Sequence, residues 1–298
     1  SHPAAKKIGK LLIPRIAGTA VYQINVLADR ILASLFWIVG QGGIPALYFS
    51  YRLIQYPIGI FSTAMATAVL PVMSQQVIEK DIDQLKDTVS FSLRSIFFVM
   101  IPASVGLIVL GRPLIRIIFE RGLFTNYSTA ITYNALLFYS LGLFAYGGIR
   151  ILAICFYSMN DTVTPVKVAA CSLVINVVFN LILMWPLKIG GLALATSIAG
   201  TFNFIVLFII LRKRLNGLEE KKIFIATVKI IFAALTMGIV CYFISNALLL
   251  DTSGGSLIIN VSRLLFVVIA GVAVFGIMTL ALRMSEARKL LKWILRKT

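Results

Sequence analysis

Residues 44–73 read IPALYFSYRLIQYPIGIFSTAMATAVLPVM, a long apolar run whose single charged side chain is Arg52. About 20 apolar residues in a helix span a bilayer, so the run predicts a transmembrane helix long enough to tilt or bend. We predict the bend, and a hinge, at Pro57 and Gly59. An arginine at the centre of a membrane helix costs at least about 2.5–3.5 kcal/mol. Because the run contains no carboxylate, we expect Arg52 to meet a visiting anion.

The composition extends this interpretation to the whole chain. Its 298 residues are 59% hydrophobic and 13% charged, and the mean hydropathy is +0.96. Soluble domains are about 45–50% apolar and about 25% charged. We therefore predict an all-α polytopic membrane protein, since lipid offers the backbone no other partners. Eight transmembrane helices are predicted, at about 11–36, 44–73, 90–110, 129–157, 164–186, 190–211, 223–249 and 257–282.

The net charge of +17 indicates topology rather than nucleic-acid binding. If each span crosses once, 17 of the 28 Lys and Arg residues fall on one side and four on the other. The positive-inside rule then places both termini of this segment in the cytoplasm, where the basic residues meet anionic membrane lipids. No nucleic-acid partner is expected.

The spans and loops define a predicted domain organisation. We expect the charged segment 74–89 to be a solvated cytoplasmic connection and 113–122 to be a short helix on the outer interface. The predicted order is a basic cytoplasmic lead-in at 1–10, a six-helix lobe at 11–212, a basic loop at 213–222, a two-helix hairpin at 223–282 and a basic amphipathic inner-leaflet tail at 283–298.

Catalysis is not expected from this sequence. It has no Walker-type glycine loop, zinc-protease motif or nucleophile elbow, and its one histidine is His2. The three cysteines lie in spans without disulfide or metal spacing. We therefore predict a transporter rather than an enzyme, with no catalytic residues and no cofactor other than an ion.

One carboxylate, Asp29, lies well inside a predicted span. Asn176 and Asn180 are spaced i, i+4 and so share one face of the fifth span. Thr196 follows the Gly190-Gly191 turn near the start of the sixth. One carboxylate, two amides, a hydroxyl and a free backbone carbonyl would suit a small hard cation. The same asparagines could instead serve as plain hydrogen-bond links between helices.

Arg150 is a second arginine deep in a predicted span, the fourth. Its long side chain could reach back to the inner interface. Alternatively, it could line the same cavity as Arg52, and we include it as a weaker substrate-binding candidate.

Three strings carry a resemblance to a known family. Tyr48–Phe61, continuing through Ala64-Met-Ala-Thr-Ala to Leu70-Pro71, resembles the MurJ/MviN flippases of the multidrug/oligosaccharidyl-lipid/polysaccharide (MOP) exporter superfamily. Ile118–Phe124 and Phe156–Pro165 are similar to the same family, in matching order and spacing. The resemblance implies a bacterial inner-membrane protein that flips lipid II, the lipid-linked peptidoglycan precursor used in cell-wall synthesis.

The resemblance also implies an architecture. Members have fourteen transmembrane helices, in two six-helix lobes and a final pair. This chain resembles the second lobe plus that pair, so the first transporter lobe of the same protein is an expected partner. The final pair would line a groove suited to the lipid tail.

For individual residues, the resemblance implies that Arg52 holds the pyrophosphate of the lipid carrier in a cavity between the lobes. A planar guanidinium suits such bidentate contacts. The family often has an acid or amide just before this arginine, where this chain has Tyr51. The resemblance further implies a sodium site formed by Asp29, Asn176, Asn180, the backbone at Leu192, and Thr196. The family pattern has an acid near Asn180, which this chain lacks.

Two other functions compete with this interpretation. A related exporter could carry a different polyprenyl-pyrophosphate oligosaccharide, or drugs as in MATE transporters, although a cation-drug exporter would favour acids over arginine in its cavity. A non-transporting membrane scaffold would leave Arg52 unexplained and would tolerate its replacement by alanine.

Overall fold

The computed structural model describes residues 20–248, except residue 22, and residues 256–287. All regular elements in these ranges are helical. A π-helical turn, Ile58–Ser62, joins the third helix to the fourth. In chain order the helices are α1 (23–33), α2 (Phe36–Val39), α3 (Gly43–Pro57), α4 (Thr63–Ile78), α5 (Ile82–Phe119), α6 (Asn126–Leu141), α7 (Leu143–Ser158), α8 (Val163–Leu187), α9 (Ile189–Leu215), α10 (Glu220–Ala247) and α11 (Leu257–Ala281).

The all-α membrane fold is confirmed. In the described part of the chain, six helices are long and apolar enough to cross a membrane, with α3, the π turn and α4 counted as one. A seventh crossing results if α6 and α7 act together. The predicted span 11–36 lies partly outside the described residues. Large apolar side chains such as Ile258 and Ile269 are 80% and 67% exposed, as expected for a surface that faces lipid.

Two segments differ from the prediction because α5 is longer than its apolar centre. The helix runs for 38 residues, so it includes half of 74–89 and most of 113–122. Asp81 caps its start by accepting a hydrogen bond from the backbone of Gln84 at 3.0 Å. The connection from α4 is therefore short. The charged segment 74–89 was predicted as a loop, but α5 begins within it and keeps its apolar face buried there.

The predicted span 129–157 is not one straight helix. It consists of α6 and α7, which meet at Gly142 with a bend of 45°. A Cβ atom on Gly142 would lie 2.8 Å from the Ser197 hydroxyl and 2.9 Å from the ring of Tyr146. Close packing against α9 therefore favours glycine at the bend, and the continuous hydropathy of the segment gives no sign of it.

The helices pack around α9 and α5. Helix α9 contacts α6, α7 and α8, whereas α5 contacts α4, α6 and α7. The hairpin of α10 and α11 is attached to this bundle mainly through α5. The largest fully buried side chains include Phe156, Ile54, Met73, Leu85, Leu93, Ile96, Met100, Ile115 and Leu136.

A tight turn sets the register between α8 and α9. Lys188 adopts a positive φ of 52° between the two helices. A Cβ atom on Gly191 would lie 2.1 Å from the carbonyl oxygen of Leu183, so only glycine fits there. This close return brings the polar residues of α8 next to those of α9.

Asp161 organises the connection between α7 and α8. Its carboxylate accepts hydrogen bonds from the backbone N–H groups of Val163 and Thr164 and pairs with Arg214 at 2.5 Å. These hydrogen bonds cap the start of α8. Partial burial alone would raise the pKa of Asp161, but the hydrogen bonds from Thr164 and the charge of Arg214 outweigh it and hold that pKa below its ordinary value.

We expect Asp161→Ala to lower stability by about 1–2 kcal/mol at neutral pH, as loss of an N-cap does. Because the folded-state pKa is lowered, the carboxylate stabilises the fold above its ordinary pKa near 3.9 and loses that effect as the pH falls. Thermal unfolding of wild type and Asp161→Ala should therefore differ at pH 7 and converge in acid. Asp83→Ala is the control, since that side chain is 93% exposed. A gap that persists unchanged in acid would contradict the prediction.

Two predicted segments lie outside the described residues. These are the lead-in at 1–10 and most of the tail at 283–298, of which residues 283–287 are described. At the near end of that tail, Glu286 is buried and pairs with Arg94 of α5. This ion pair and the hydrogen bond from Lys229 to the carbonyl of Leu282, at 3.1 Å, fasten the end of α11 to the bundle.

Candidate functional site

A half-open cavity of about 540 Å³ lies between α1 and α3, with one residue each from α6 and α9 in its wall. The wall is mixed in character, with two arginines, one carboxylate, amides and several tyrosines. It is formed by Asn25, Val26, Asp29, Arg30, Ile44, Leu47, Tyr48, Tyr51, Arg52, Gln55, Tyr56, Tyr139 and Thr196.

Helix α3 presents one polar face to this cavity. Its opposite face is buried, including Ser50 and Ile54, and packs mainly against α6. Residues at i−4, i+3 and i+4 from Arg52 share its side of the helix, and they are Tyr48, Gln55 and Tyr56. The cavity wall is therefore an aromatic and amide surface with a guanidinium at its centre.

The structure places Arg52 in the cavity wall, as the sequence predicts. The side chain is exposed, and among the residues that the structure describes no hydrogen bond or ion pair holds its guanidinium. Tyr51, which precedes it, packs edge-on against Tyr139 with ring centroids 5.6 Å apart. Arg52 therefore has its charge available for an anion.

Arg150 lies elsewhere. It is not part of the cavity wall, and its guanidinium donates a hydrogen bond to the hydroxyl of Thr63 at the start of α4. The side chain links α7 to α4. Its proposed role in substrate binding stays an untested prediction.

Asp29 joins a cluster of polar side chains from three helices. Asn180 donates to its Oδ1 at 2.7 Å, and the Thr196 hydroxyl lies 3.2 Å from its Oδ2. Asn180 also donates to Oδ1 of Asn176 at 2.8 Å, and both amides are fully buried. The Thr196 hydroxyl also lies 3.0 Å from the carbonyl oxygen of Leu192. All five residues of the predicted cation site therefore lie together.

The amide of Asn176 can adopt two orientations in this cluster. In one of these orientations an oxygen would lie 2.7 Å from Oδ1 of Asn25 and 3.2 Å from Oδ1 of Asp29, whereas with the amide turned by 180° the nitrogen donates to both. Oδ1 of Asn180 is buried without a hydrogen-bond partner among the described residues. In the turned orientation the Asn176 oxygen also accepts from the Thr196 hydroxyl at 3.1 Å, so hydrogen bonds satisfy this amide.

The donor set fits a hard monovalent cation better than a transition metal. The described residues contain no group of three or more His, Cys, Asp or Glu side chains that could hold a metal ion. The cluster instead offers carboxylate, amide, hydroxyl and backbone carbonyl oxygens, with one formal negative charge. Oxygen-only ligands suit hard cations.

Sequence reasoning missed two cavity residues on α1. Asn25 lies four residues before Asp29 and thus on the same helix face, a spacing that could have added it to the cluster. Arg30 was not among the predicted site residues, yet it is exposed and lines the cavity. The pattern of α1 alone does not show which of its faces meets α3.

The predicted hinge coincides with an irregular stretch of backbone. The π-helical turn begins at Ile58, directly after Pro57, and includes Gly59. A Cβ on Gly59 would meet nothing within 4 Å. Single π turns inside helices often lie at functional sites. The hinge role itself stays a prediction.

A second, apolar groove runs between α5 and α10. Its volume is about 350 Å³, and Gly238 lets the helices approach, because a Cβ there would lie 2.5 Å from Val105. Nearly all of its surface is hydrocarbon or aromatic. The groove is lined by Val105, Ile108, Val109, Leu235, Gly238, Ile239, Tyr242 and Phe243.

Comparison with solved structures places the fold. The structure titled lipid II flippase MurJ, inward closed conformation, is similar with a TM-score of 0.71 and 27% identity, over 92% of this chain and 54% of that one. A multidrug resistance MATE family transporter of the MOP superfamily matches with a TM-score of 0.61 and 16% identity, over 94% of this chain and 62% of that one. The second likeness shows the fold alone.

Comparison with known sequences gives the family. A family model described as lipid II flippase MurJ matches residues 1–263. The probable lipid II flippase MurJ of Vibrio cholerae serotype O1 is 35% identical over 252 residues, which are 84% of this chain and 46% of that protein. The corresponding protein of Rickettsia prowazekii is 33% identical over 277 residues, covering 92% and 54%.

The chain therefore spans about half the length of these curated relatives. The match to the family model covers most of the chain and includes the three strings on which the resemblance was based. The family is one of transporters, not enzymes. The chain belongs to the MurJ family of lipid II flippases.

Proposed function

We propose that this chain is the second half of a flippase that carries lipid II across the bacterial inner membrane. The observation that carries the proposal is the guanidinium of Arg52, which lies in a cavity wall of a membrane bundle and has no hydrogen-bond or ion-pair partner among the described residues. Such an arginine needs an anionic visitor, and the pyrophosphate of a lipid-linked sugar supplies one. The names of the relatives support lipid II as the cargo.

The proposed mechanism is alternating access. In the orientation predicted from the basic loops, both ends of this segment lie in the cytoplasm. The headgroup enters the cavity from the inner leaflet and Arg52 neutralises the phosphates. Rocking of this lobe against the first lobe of the same protein then exposes the headgroup outward. Pro57, Gly59 and the adjoining π turn would absorb the bending of the α3–α4 helix.

The polyprenyl tail would occupy an apolar surface outside the headgroup cavity. The groove between α5 and α10 has the right chemistry, since it is nearly free of polar surface. The tail would gain little free energy in the groove, because it is surrounded by equally apolar lipid outside it. The groove would therefore guide the tail rather than bind it tightly.

The polar cluster at Asp29 would hold a sodium ion. The ligands would be Asp29, Asn176, Asn180, the carbonyl of Leu192, and Thr196, whose oxygens lie together and carry one formal negative charge. Asp29 and Thr196 also line the cavity, so the ion would lie beside the proposed headgroup site. Ion binding there, or the membrane potential, would reset the transport cycle.

Growth rescue tests the function directly. We expect the full-length parent protein to restore growth of bacteria depleted of their own lipid II flippase, and lipid II to reappear at the outer leaflet. The control is the same protein in cells that lack a flippase for another polyprenyl-pyrophosphate oligosaccharide, which it should not rescue.

Two outcomes would overturn the proposal. Rescue of the second strain alone, at verified membrane levels, would identify a different lipid-linked oligosaccharide as the cargo. Rescue of neither strain by well-inserted protein would favour a membrane scaffold.

A further inference from the structure

We propose that Arg30 is a second anion-binding residue of the cavity, so that the site provides one guanidinium for each phosphate of a lipid diphosphate. This inference rests on the proposed function and names the feature by which the cavity would distinguish a diphosphate from a monophosphate. Its basis is the position of Arg30 in the cavity that also contains Arg52.

The charge of Arg30 is available. The side chain is exposed, and within the described ranges no hydrogen bond or ion pair engages its guanidinium. Its neighbour Asp29 does not neutralise it by direct contact. Adjacent helix positions point about 100° apart, and the Asp29 carboxylate is buried and bonded to Asn180 and Thr196.

The two arginines come from different helices that meet at one end. A Cβ on Gly43, the first residue of α3, would lie 2.8 Å from the carbonyl oxygen of Ala33, at the end of α1. This contact holds the two helices together beside the cavity. Arg30 lies one turn before that contact on α1, and Arg52 projects from α3 into the same space.

The positive charges of Arg30 and Arg52 match the two phosphates of a lipid diphosphate. The two guanidiniums, which have no partner in the described part of the chain, repel each other when the cavity is empty, and both are satisfied when two linked phosphates enter. A monophosphate lipid would satisfy one and leave the other without an anion. Charge-assisted bonds from arginine to phosphate are strong and directional. Arg30 should therefore contribute more to the binding of diphosphate than of monophosphate.

The test measures lipid binding to the full-length parent protein in nanodiscs. The two probes are undecaprenyl pyrophosphate and undecaprenyl phosphate, which share one tail and differ by one phosphate. The variants are Arg30→Ala, Arg30→Lys and Arg52→Ala. Arg121→Ala is the matched charge-loss control, because that guanidinium bonds backbone carbonyls of its own segment, at Ile117 and Ile118, outside the cavity.

We expect wild type to prefer the diphosphate. In Arg30→Ala, affinity for the diphosphate should fall about tenfold or more, whereas affinity for the monophosphate should change by less than about threefold. Arg30→Lys should lie between alanine and wild type, since lysine keeps the charge without the planar fork. Arg121→Ala should bind both lipids as wild type does.

Folding is checked separately, by monodisperse elution and an unchanged melting temperature. A folded Arg30→Ala protein that binds the diphosphate like wild type, while Arg52→Ala does not, would overturn the inference and leave the proposed function standing. An equal loss for both lipids would also overturn it, since Arg30 would then act as a general charge. Wild type that binds neither lipid would refute the proposed function itself.

Discussion

Replacing Arg52 with alanine should abolish the rescue of cells depleted of their own lipid II flippase, and Arg52→Lys should rescue in part. Each charge-assisted hydrogen bond is worth about 1.5–3 kcal/mol, so a bidentate contact accounts for a loss of roughly 100-fold or more. Lysine keeps the charge but loses the fork geometry. The measurement is growth at matched membrane levels of the full-length variants, together with the appearance of lipid II at the outer leaflet.

Two comparison variants separate phosphate recognition from general effects. Arg121→Ala removes an equal charge outside the cavity and should rescue fully. Arg150→Ala removes a guanidinium that donates to Thr63, so any defect should come from weaker packing between α4 and α7. We expect this variant to be less stable but to bind the lipid nearly as well as wild type. Full rescue by both Arg52 variants would make Arg52 a structural residue and would remove the central claim of the mechanism.

Several features of the site follow from the sequence because they depend on helix geometry alone. A guanidinium in a carboxylate-free apolar run must avoid lipid, and Arg52 does line a cavity. The i, i+4 spacing of Asn176 and Asn180 places both amides on one face, where they meet Asp29. These predictions rest on the period of the helix and on the cost of polar groups in a membrane. Both can be evaluated from the sequence of a single segment.

The features that were missed depend on how helices meet. Nothing in α1 shows which side faces α3, so the roles of Asn25 and Arg30 were not predicted. The bend lies at Gly142, where α9 packs too closely for a larger side chain, whereas the hydropathy of that segment is continuous. The ends of α5 were misplaced for a related reason, because a helix continues into water whenever one of its faces stays covered.

Asp29→Asn should eliminate the stabilisation of the protein by sodium. An ion that binds only the folded state adds RT ln(1 + [L]/Kd), which is about 2.7 kcal/mol at a concentration of 100 times Kd. The substitution keeps the shape of the side chain and removes the only formal charge in the polar cluster. We expect the melting temperature of wild type to rise in sodium chloride relative to choline chloride at equal ionic strength, and that of Asp29→Asn to stay unchanged.

The comparison of melting temperatures in the two salts also distinguishes a cation site from a set of hydrogen bonds that link helices. Asn176→Ala should lose most of the sodium effect, because it removes one of the proposed amide ligands of the ion. Ser172→Ala is the control one turn earlier on α8, since that hydroxyl donates to the carbonyl of Val168 in its own helix. If the cluster merely links helices, Asp29→Asn and Asn176→Ala would lower the melting temperature equally in both salts, and sodium would stabilise no variant.

A sodium effect that survives in Asp29→Asn would place the ion elsewhere in the protein. Loss of that effect in Asp29→Asn and Asn176→Ala, but not in Ser172→Ala, would tie it to the oxygens beside the headgroup cavity, where a bound cation can influence the charge that an anionic lipid meets.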